Sequence, residues 1–344
     1  MKGLKYIFII VVLITAWACV KDEPVPIPTH GIGSPLSRKV FVINEGNYSV
    51  GNAALSLYSP NDQSVVEDYY RYQNNAGLGD VFQSMYAFAG KYYLVVNNSN
   101  KIVVCDTAIK KIGQISNLLS PRYFLPINEN KAYVSDLYAN QIHVIDLKNQ
   151  IKISSISCKG WTEQMVYANG KVFVCGPNSQ YVWVIDAVSD KKMDSIQVGT
   201  NAYNMVCDHL ENIWILAAGD KTKSIAPQLM QVSSSNQRII KQFSLGMNDE
   251  PSHLNLNQSK DSLYFLNKGV YVMATNATGL PTVPLIAADN RNFYGLGIRA
   301  ADNTIYLSDA LDYVQKSNIY VYDAKGRQLN RFKAGINANG FYFE

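Results

Sequence analysis

A forty-residue repeat is the sequence feature that most restricts how this chain can fold. Three apolar runs open on a lysine at this interval: Lys91, Lys131 and Lys171. Three further apolar runs end on an aspartate at the same interval: Asp106, Asp146 and Asp186. Two landmarks that keep one period through three copies indicate a repeat architecture.

Each repeat predicts four short strands. The runs are rich in Val, Ile, Tyr and Phe, are separated by Gly, Asn, Asp and Ser, and nowhere keep a helical period over a long stretch. Weaker copies on both sides bring the number of repeats to seven. Four strands in about forty residues are typical of a propeller blade. We therefore predict an all-β fold, a seven-bladed β-propeller with four-stranded blades, over residues 39–344.

The two ends of this region predict how the ring closes. Residues 339–344 resemble the innermost strand of a blade that has no continuation, whereas residues 39–44 resemble a second strand that lacks an innermost one. Joined, the two ends complete one blade and remove the sheet edges that an open array would expose. The closing blade is therefore predicted to contain both termini of the propeller.

The first residues predict export and lipidation. A basic start and a short apolar run ending at Ala18 have the form of a signal peptide, residues 1–18. Cys19 follows directly and resembles a bacterial lipobox cysteine, although a cysteine beside an ordinary cleavage site is the alternative. Residues 19–38 then form a lipidated N-terminus and proline-rich tether. The charged tripeptide Lys21-Asp22-Glu23 after Cys19 is similar to the signal that sends Bacteroidetes lipoproteins to the outer face of the outer membrane.

Charge and cysteine usage exclude some partners. Removing residues 1–18 would lower the formal net charge from +4 to +2, because that segment holds two lysines and no acids. A balance this close to neutral argues against nucleic acid as a partner. The remaining cysteines lie in or beside apolar runs, where we expect free thiols: Cys105, Cys158, Cys175 and Cys207.

Aromatic and amide residues concentrate in one of the two sets of loops. In a meander of antiparallel strands, second-to-third-strand loops and blade-to-blade segments emerge on the same face, which we call the loop face. Aromatic rings and amides there suit a large, flat, mostly neutral ligand. Any single aromatic residue is equally compatible with core packing. The predicted ligand-binding residues are Asn47, Tyr48, Gln83, Asn97, Asn98, Arg122, Tyr123, Asp136, Tyr138, Trp161, Asn178, Tyr203, His253, Phe293, Tyr294 and Tyr313.

Signatures of catalysis and metal binding are missing from the sequence. The four histidines are scattered, and none has the spacing of a metal ligand relative to another His, Cys or acid. No Gly-x-Ser-x-Gly elbow or phosphate-binding loop occurs. We therefore expect no metal, no cofactor and no enzymatic activity.

The blade pattern as a whole resembles the YncE-like, surface-layer-type seven-bladed propellers. Several stretches are similar to one branch, the BtuG-type surface cobalamin-binding lipoproteins of gut Bacteroidetes: Val42–Tyr48, Gly79–Met85, Val95–Asn100, Ser120–Tyr123 and Ala132–Tyr138. The resemblance is densest in the first three blades and loosens from Ala217 to Asp312. It implies a lipoprotein that captures cobalamin or other corrinoids outside the cell and passes them to a TonB-dependent outer-membrane transporter, with the corrinoid as transported ligand.

Two other classes of function remain open at this stage. One is a scaffold or adhesion propeller that binds protein or glycan on the loop face. The other is an enzyme of the lactonase or quinoprotein kind, which would need a metal or cofactor cluster at the channel.

Overall fold

The computed structural model of this chain describes residues 39–344. Within them the chain forms seven antiparallel sheets arranged as a seven-bladed β-propeller, so the predicted fold is confirmed. The predicted signal peptide (1–18), the lipidation site Cys19 and the tether (19–38) lie outside the described residues. No helix in residues 39–344 has the length and apolar character needed to cross a membrane.

The strands follow one another in chain order from blade to blade. The first elements are β1 (Val40–Asn44), β2 (Ala54–Ser59), β3 (Ser64–Val66) and the helix α1 (Tyr69–Asn74). Blade 1 contains β4 (Phe82–Phe88), β5 (Lys91–Val96), β6 (Lys101–Cys105) and β7 (Lys111–Ile115), with a 3-10 turn at Asn97–Ser99. Blade 2 contains β8 (Pro121–Asn128), β9 (Lys131–Asp136), β10 (Gln141–Asp146) and β11 (Ile151–Ser157). Blade 3 contains β12 (Met165–Ala168), β13 (Lys171–Val174), β14 (Tyr181–Asp186) and β15 (Lys191–Gln197).

The second half continues the same meander. Blade 4 contains β16 (Ala202–Cys207), β17 (Asn212–Ala217), β18 (Gln228–Ser233) and β19 (Ile239–Ser244), with a 3-10 turn at Lys221–Lys223. Blade 5 contains β20 (Ser252–Leu256), β21 (Ser262–Asn267) and β22 (Gly269–Ala274). Blade 6 contains β23 (Phe293–Arg299), β24 (Thr304–Asp309), β25 (Lys316–Tyr322) and β26 (Gln328–Ile336). The last strand is β27 (Ala338–Phe343).

Blade 5 departs from the four-stranded pattern at its outer edge. After β22 the chain returns as an irregular segment and meets Val270 through a single β-bridge to Ile286. The Val270 N–H donates to the Ile286 carbonyl at 2.9 Å, and the Leu285 N–H donates to the Val270 carbonyl at 2.8 Å. This segment therefore provides hydrogen-bond partners for the backbone of Val270 at the start of β22, on the side where the other sheets have a fourth strand.

The closing blade contains both ends of the propeller, as predicted. Its strand order is β27-β1-β2-β3, and β27 pairs antiparallel with β1. The Glu344 N–H donates to the Lys39 carbonyl at 3.1 Å, so the first and last described residues are neighbours. We refer to this sheet as blade 7.

The hydrophobic core is divided into seven clusters, each shared by two adjacent blades. Between blades 1 and 2, for example, the rings of Tyr93 and Phe124 stack with centroids 4.2 Å apart. The four described cysteines are free thiols, and all but Cys207 are buried. Each blade therefore depends on both neighbours for the burial of its apolar faces.

Candidate functional site

A central cavity of about 340 Å³ opens where the innermost strands begin, which is the loop-face end of the channel. Residues from all seven blades line it, since Gln164 immediately precedes β12 and the other inner strands contribute directly. The wall is mixed in chemistry, with carboxylate, guanidinium, amide, imidazole and phenol groups beside a few apolar side chains. Such a mixture of area and directed polar groups is typical of a small-molecule site.

A recurring β-bulge directs side chains into this cavity. In six of the seven inner strands the ladder to the neighbouring strand loses register at the second residue. A bulge adds one residue opposite the partner strand and turns a side chain that would otherwise alternate between sheet faces. The bulged second residues are Gln83, Arg122, Tyr203, His253, Tyr294 and Asn339. The repeat thus places a side chain from each of these blades at one level of the channel.

Arg122 is held by two neighbours on the cavity wall. Its Nε donates to both carboxylate oxygens of Glu163, at 2.9 and 3.0 Å, and its Nη1 donates to Oε1 of Gln83. Burial opposes the charge on the guanidinium, but Glu163, Tyr123 and Glu45 together outweigh burial and raise the pKa of Arg122. Burial also raises the pKa of Glu163 against the pull of Arg122. This ion pair is therefore a desolvated, geometrically fixed unit.

A second carboxylate, Glu45, lies across the same wall. The hydroxyl of Tyr294 donates to Oε2 of Glu45 at 2.5 Å, and Nδ2 of Asn339 donates to Oε1 at 2.6 Å. Burial raises the pKa of Glu45 despite these two hydrogen bonds and the more distant charge of Arg122. Burial also raises the pKa of Tyr294 above its usual range, so this phenol remains a hydrogen-bond donor.

His253 and Tyr203 complete the polar part of the wall. The backbone of His253 has a positive φ of 54°, and its N–H donates to Oδ1 of Asn204 at 2.8 Å. Burial lowers the pKa of His253 to about 4, so the imidazole is neutral at pH 7. The hydroxyl of Tyr203 donates to the Pro251 carbonyl. Oδ1 of Asn339 has no hydrogen-bond partner within the described part of the chain.

Exposed aromatic rings lie in the loops on the same face as the cavity. Tyr48, Tyr138, Trp161 and Tyr313 are 74%, 56%, 38% and 46% exposed. Tyr138 and Trp161 form a T-shaped pair with centroids 5.9 Å apart, and Tyr313 pairs in the same way with Tyr294 at 5.5 Å. We call these four exposed residues the aromatic rim. Because Tyr294 lines the cavity, the Tyr294 and Tyr313 pair connects the rim to the channel.

The structure brings ten of the sixteen predicted residues to the cavity or the rim. Gln83, Arg122, Tyr123, Tyr203, His253 and Tyr294 line the cavity. Tyr48, Tyr138, Trp161 and Tyr313 form the rim. The other six lie elsewhere.

Four of those six have their polar groups occupied within the loops. Asp136 is fully buried and accepts from five donors, and Asn97 donates to Oγ of Ser120 at 2.8 Å and to the Pro121 carbonyl at 3.0 Å. Asn98 donates to Asp80, and Asn47 donates to the Tyr313 carbonyl at 2.7 Å. These side chains shape the loops, because their hydrogen bonds are made to the protein itself.

Phe293 and Asn178 are also outside the central cavity. The Phe293 ring packs under the guanidinium of Arg291, whose carbon lies 4.9 Å from the ring centroid. Asn178 lines a separate polar pocket of about 290 Å³ between blades 3 and 4, together with Asn201, Asp220 and Lys223.

Seven polar residues of the site are not among the predicted contacts: Glu45, Ser84, Glu163, Gln164, Asn204, Asn255 and Asn339. Glu45 and Glu163 lie within two residues of the predicted Asn47 and Trp161, so proximity in the loops was the available signal. Asn339 occupies the second position of its inner strand, as Gln83 and Tyr203 do in theirs. The equivalence of these positions depends on the bulges, which a strand pattern does not reveal.

The described residues contain no group of three or more His, Cys, Asp and Glu side chains placed to hold a metal ion. The acids of the site are engaged with other partners, Glu45 with Tyr294 and Asn339, and Glu163 with Arg122.

Comparison with known families identifies the propeller. Residues 38–344 match the family described as a domain of unknown function, DUF5074. The chain belongs to the DUF5074 family. The match begins one residue before the described part of the chain and covers all seven blades. A comparison with curated proteins finds no match for this DUF5074 chain.

Solved structures share the fold of this DUF5074 propeller at low sequence identity. A quinonprotein alcohol dehydrogenase-like protein from Bacteroides thetaiotaomicron is 15% identical with a TM-score of 0.72, covering 89% of this chain and 78% of that chain. A functionally unknown protein from Desulfotomaculum acetoxidans is 12% identical with a TM-score of 0.67, covering 90% and 99%. The periplasmic gluconolactonase of Pseudomonas aeruginosa is 10% identical with a TM-score of 0.66, covering 89% and 98%. These similarities establish the propeller fold.

Proposed function

We propose that this propeller is a non-catalytic binding protein that captures a large, flat, mostly neutral small molecule on its loop face. We further propose that the ligand is cobalamin or a related corrinoid, taken up at the cell surface by a lipid-anchored protein and delivered to a TonB-dependent outer-membrane transporter. The resemblance of the first blades to BtuG-type lipoproteins motivates the choice of ligand, anchor and partner.

The uneven distribution of exposed aromatic rings carries the proposal. Apart from Tyr72 on α1, five of the exposed rings in residues 39–344 lie at the loop-face end of the blades: Tyr48, Tyr138, Trp161, Tyr181 and Tyr313. Tyr167, near the β12–β13 turn, is the counterpart on the opposite face. Rings left in water are costly unless a partner covers them, so their concentration on one face favours a ligand there.

Size decides how such a ligand would lie. A cavity of about 340 Å³ is at the small end of ligand pockets, which run from about 300 to 1,000 Å³. A macrocycle would therefore rest on the aromatic rim, and one of its appendages would enter the cavity. Rings contribute buried area in that arrangement, and the amides and acids below them set the orientation.

The first test is a titration of the propeller, residues 39–344, with cyanocobalamin by calorimetry and visible absorption. We expect saturable heat and a spectral shift at micromolar protein. Trp161→Ala and Tyr138→Ala should each weaken binding by about tenfold, because an aromatic contact contributes about 1 kcal/mol beyond its area. Tyr167→Ala is the matched control, since this exposed ring lies on the opposite face. The absence of both heat and spectral shift would contradict the choice of a corrinoid.

Glycan binding is a second candidate for the same face. The exposed Tyr138 and Trp161 pair offers a ring platform of the kind that stacks on apolar ligand surfaces. Binding on a glycan array that is lost in Trp161→Ala and Tyr138→Ala, with no response to cyanocobalamin, would support this candidate over corrinoid capture.

A further inference from the structure

We infer that the central cavity selects a hydrogen-bond-donating group that is uncharged or positively charged, such as a carboxamide, hydroxyl or amidinium, and rejects anions. This inference extends the proposed function, because the same mouth is involved. It concerns the charge preference of the cavity, however, and its test does not require corrinoid binding.

Arg122 cannot hold an anion through two of its nitrogens. It is the one cationic side chain among the described residues that line the cavity. Its Nε faces both oxygens of Glu163 and its Nη1 faces Gln83, so two of its three nitrogens are committed within the wall. A bidentate grip on a ligand carboxylate or phosphate needs two free nitrogens on one edge. The guanidinium therefore holds Glu163 and Gln83 in place in the wall of the cavity.

The charged groups of the cavity wall do not add up to a positive charge. Glu163 neutralises Arg122 and stands behind it, whereas Glu45 lines the cavity and has only neutral donors as direct partners. The imidazole of His253 adds no charge, since burial lowers its pKa to about 4. The cluster of Arg122, Glu45 and Glu163 is neutral when Glu45 is protonated and carries one net negative charge when both acids are ionised, so it is positive in neither state. Such a site gives an anion no favourable charge, and a cation beside Glu45 favours the ionised carboxylate.

Hydrogen-bond acceptors with remaining capacity line part of the cavity wall. Oδ1 of Asn339 is buried without a hydrogen-bond partner in residues 39–344, and Asn339 lines the cavity. Each oxygen of Glu45 accepts one hydrogen bond and has capacity for another. Amide N–H groups of Gln83, Gln164 and Asn204 also line the cavity, but the Glu45 oxygens and Oδ1 of Asn339 form a cluster of acceptors beside Tyr294. A ligand group that donates hydrogen bonds would satisfy them, whereas a carboxylate would leave them unpaired.

Three planar probes of nearly equal shape test this preference. Benzamidine is a cation, benzamide is a neutral donor and benzoate is an anion, each with about nine non-hydrogen atoms, small enough for a cavity of about 340 Å³. We expect dissociation constants from ligand-observed NMR to rise in the order benzamidine, benzamide, benzoate, with at least about a tenfold difference between the first and the last. Benzoate binding as tightly as benzamidine, or no binding of benzamidine at millimolar concentration, would overturn the inference.

A charge-removing variant locates the effect. Glu45→Gln keeps an oxygen acceptor and the shape of the side chain, so we expect benzamidine to bind about tenfold more weakly and benzamide to change little. Glu129→Gln, an exposed acid in the β8–β9 turn of the opposite face, is the matched control and should leave all three probes unchanged. If benzamidine binding is unaffected by Glu45→Gln, the probe lies elsewhere and the inference is wrong.

The two proposals fail separately. Tyr138→Ala removes a rim ring and should weaken cyanocobalamin without affecting benzamidine, because Tyr138 does not line the cavity. If the three probes show the charge preference but cyanocobalamin does not bind, the proposed ligand is wrong and the inferred charge preference of the cavity stands.

Discussion

At the scale of single residues, the acids of the loop face divide into two kinds. Asp136 is fully buried, and its oxygens accept from the N–H groups of Leu119 and Ser120, those of Tyr138 and Ala139, and Nε2 of His143, at 2.9 to 3.1 Å. Glu45 has two neutral partners and lines the cavity. Chemical type alone therefore does not distinguish an acid that organises loops from one that faces a ligand.

The first prediction concerns Asp136→Asn. The amide nitrogen would face N–H donors in place of one oxygen, leaving buried groups unsatisfied, so the free energy of unfolding should fall by about 2–4 kcal/mol. Denaturant unfolding at pH 7 measures this loss. Asp146→Asn is the control, because Asp146 makes similar turn hydrogen bonds at a half-buried position and its substitution should cost much less.

The same substitution carries a pH signature. Burial works against ionisation of Asp136, but the hydrogen bonds from His143 and from the backbone of Ser120, Tyr138 and Leu119 outweigh it and lower the pKa of this carboxyl below the ordinary 3.8. A lowered folded-state pKa gives stability that is present above the unfolded pKa and lost as pH falls through the folded one. The wild type and Asp136→Asn should therefore converge in stability below pH 4. A constant difference across that range would contradict this account.

At the scale of strands and turns, local chemistry explains what could be predicted. Third strands end on Asp146 and Asp186 and are directly followed by Asp106 and Asp323, and each aspartate accepts from the N–H two residues on, as a turn aspartate should. Strand positions and ring closure followed from similar local patterns. The level at which side chains enter the channel depends on the bulges, and a bulge arises from pairing between strands. For this reason Asn339 is not among the predicted residues, although it follows a link between adjacent blades just as Gln83 and Tyr203 do.

The second prediction concerns the turn that enters β4. Val81 has a positive φ of 58°, a conformation that is costly for a β-branched residue and tolerated by asparagine. Its carbonyl accepts from the Asn97 N–H at 2.8 Å, which holds the turn beside the bulge at Gln83. We expect Val81→Asn to raise the free energy of unfolding by about 0.5–1 kcal/mol, as relief of local strain does elsewhere.

A matched exchange separates this effect from the loss of an apolar side chain. Val188→Asn is made at a position that is 87% exposed and has no positive φ, so its stability should change by less than about 0.5 kcal/mol. Midpoints of urea unfolding provide the comparison. A Val81→Asn protein no more stable than wild type would show that the turn carries no net strain.

At the scale of the whole molecule, the ring is one cooperative structure. Seven apolar clusters lie between adjacent blades, so opening the ring between two blades exposes the cluster that they share, as between blades 7 and 1 or between blades 6 and 7. β27 connects blade 7 with blade 6. Its aromatic residues Phe341 and Phe343 pack on Tyr306 of blade 6, and its backbone pairs with β1 within blade 7. The cavity depends on the same strand, because Asn339 holds Glu45.

The last prediction tests whether the fold needs β27 only beside β1 or also needs it joined to β26. Deleting residues 338–344 leaves β1 as an open edge and uncovers Val40, Val42 and Tyr306, which are now buried. We expect this variant to lose most of the 5–15 kcal/mol that typically stabilises a domain, and to aggregate. The control carries the same seven residues ahead of Lys39 through a short turn, which the 3.1 Å contact between the Glu344 N–H and the Lys39 carbonyl permits. The transposed strand should restore cooperative unfolding and the benzamidine preference together, because both need β27 beside β1 and neither needs it attached to β26. Cooperative unfolding of the deleted chain at the wild-type midpoint would contradict the dependence of the ring on its closing strand.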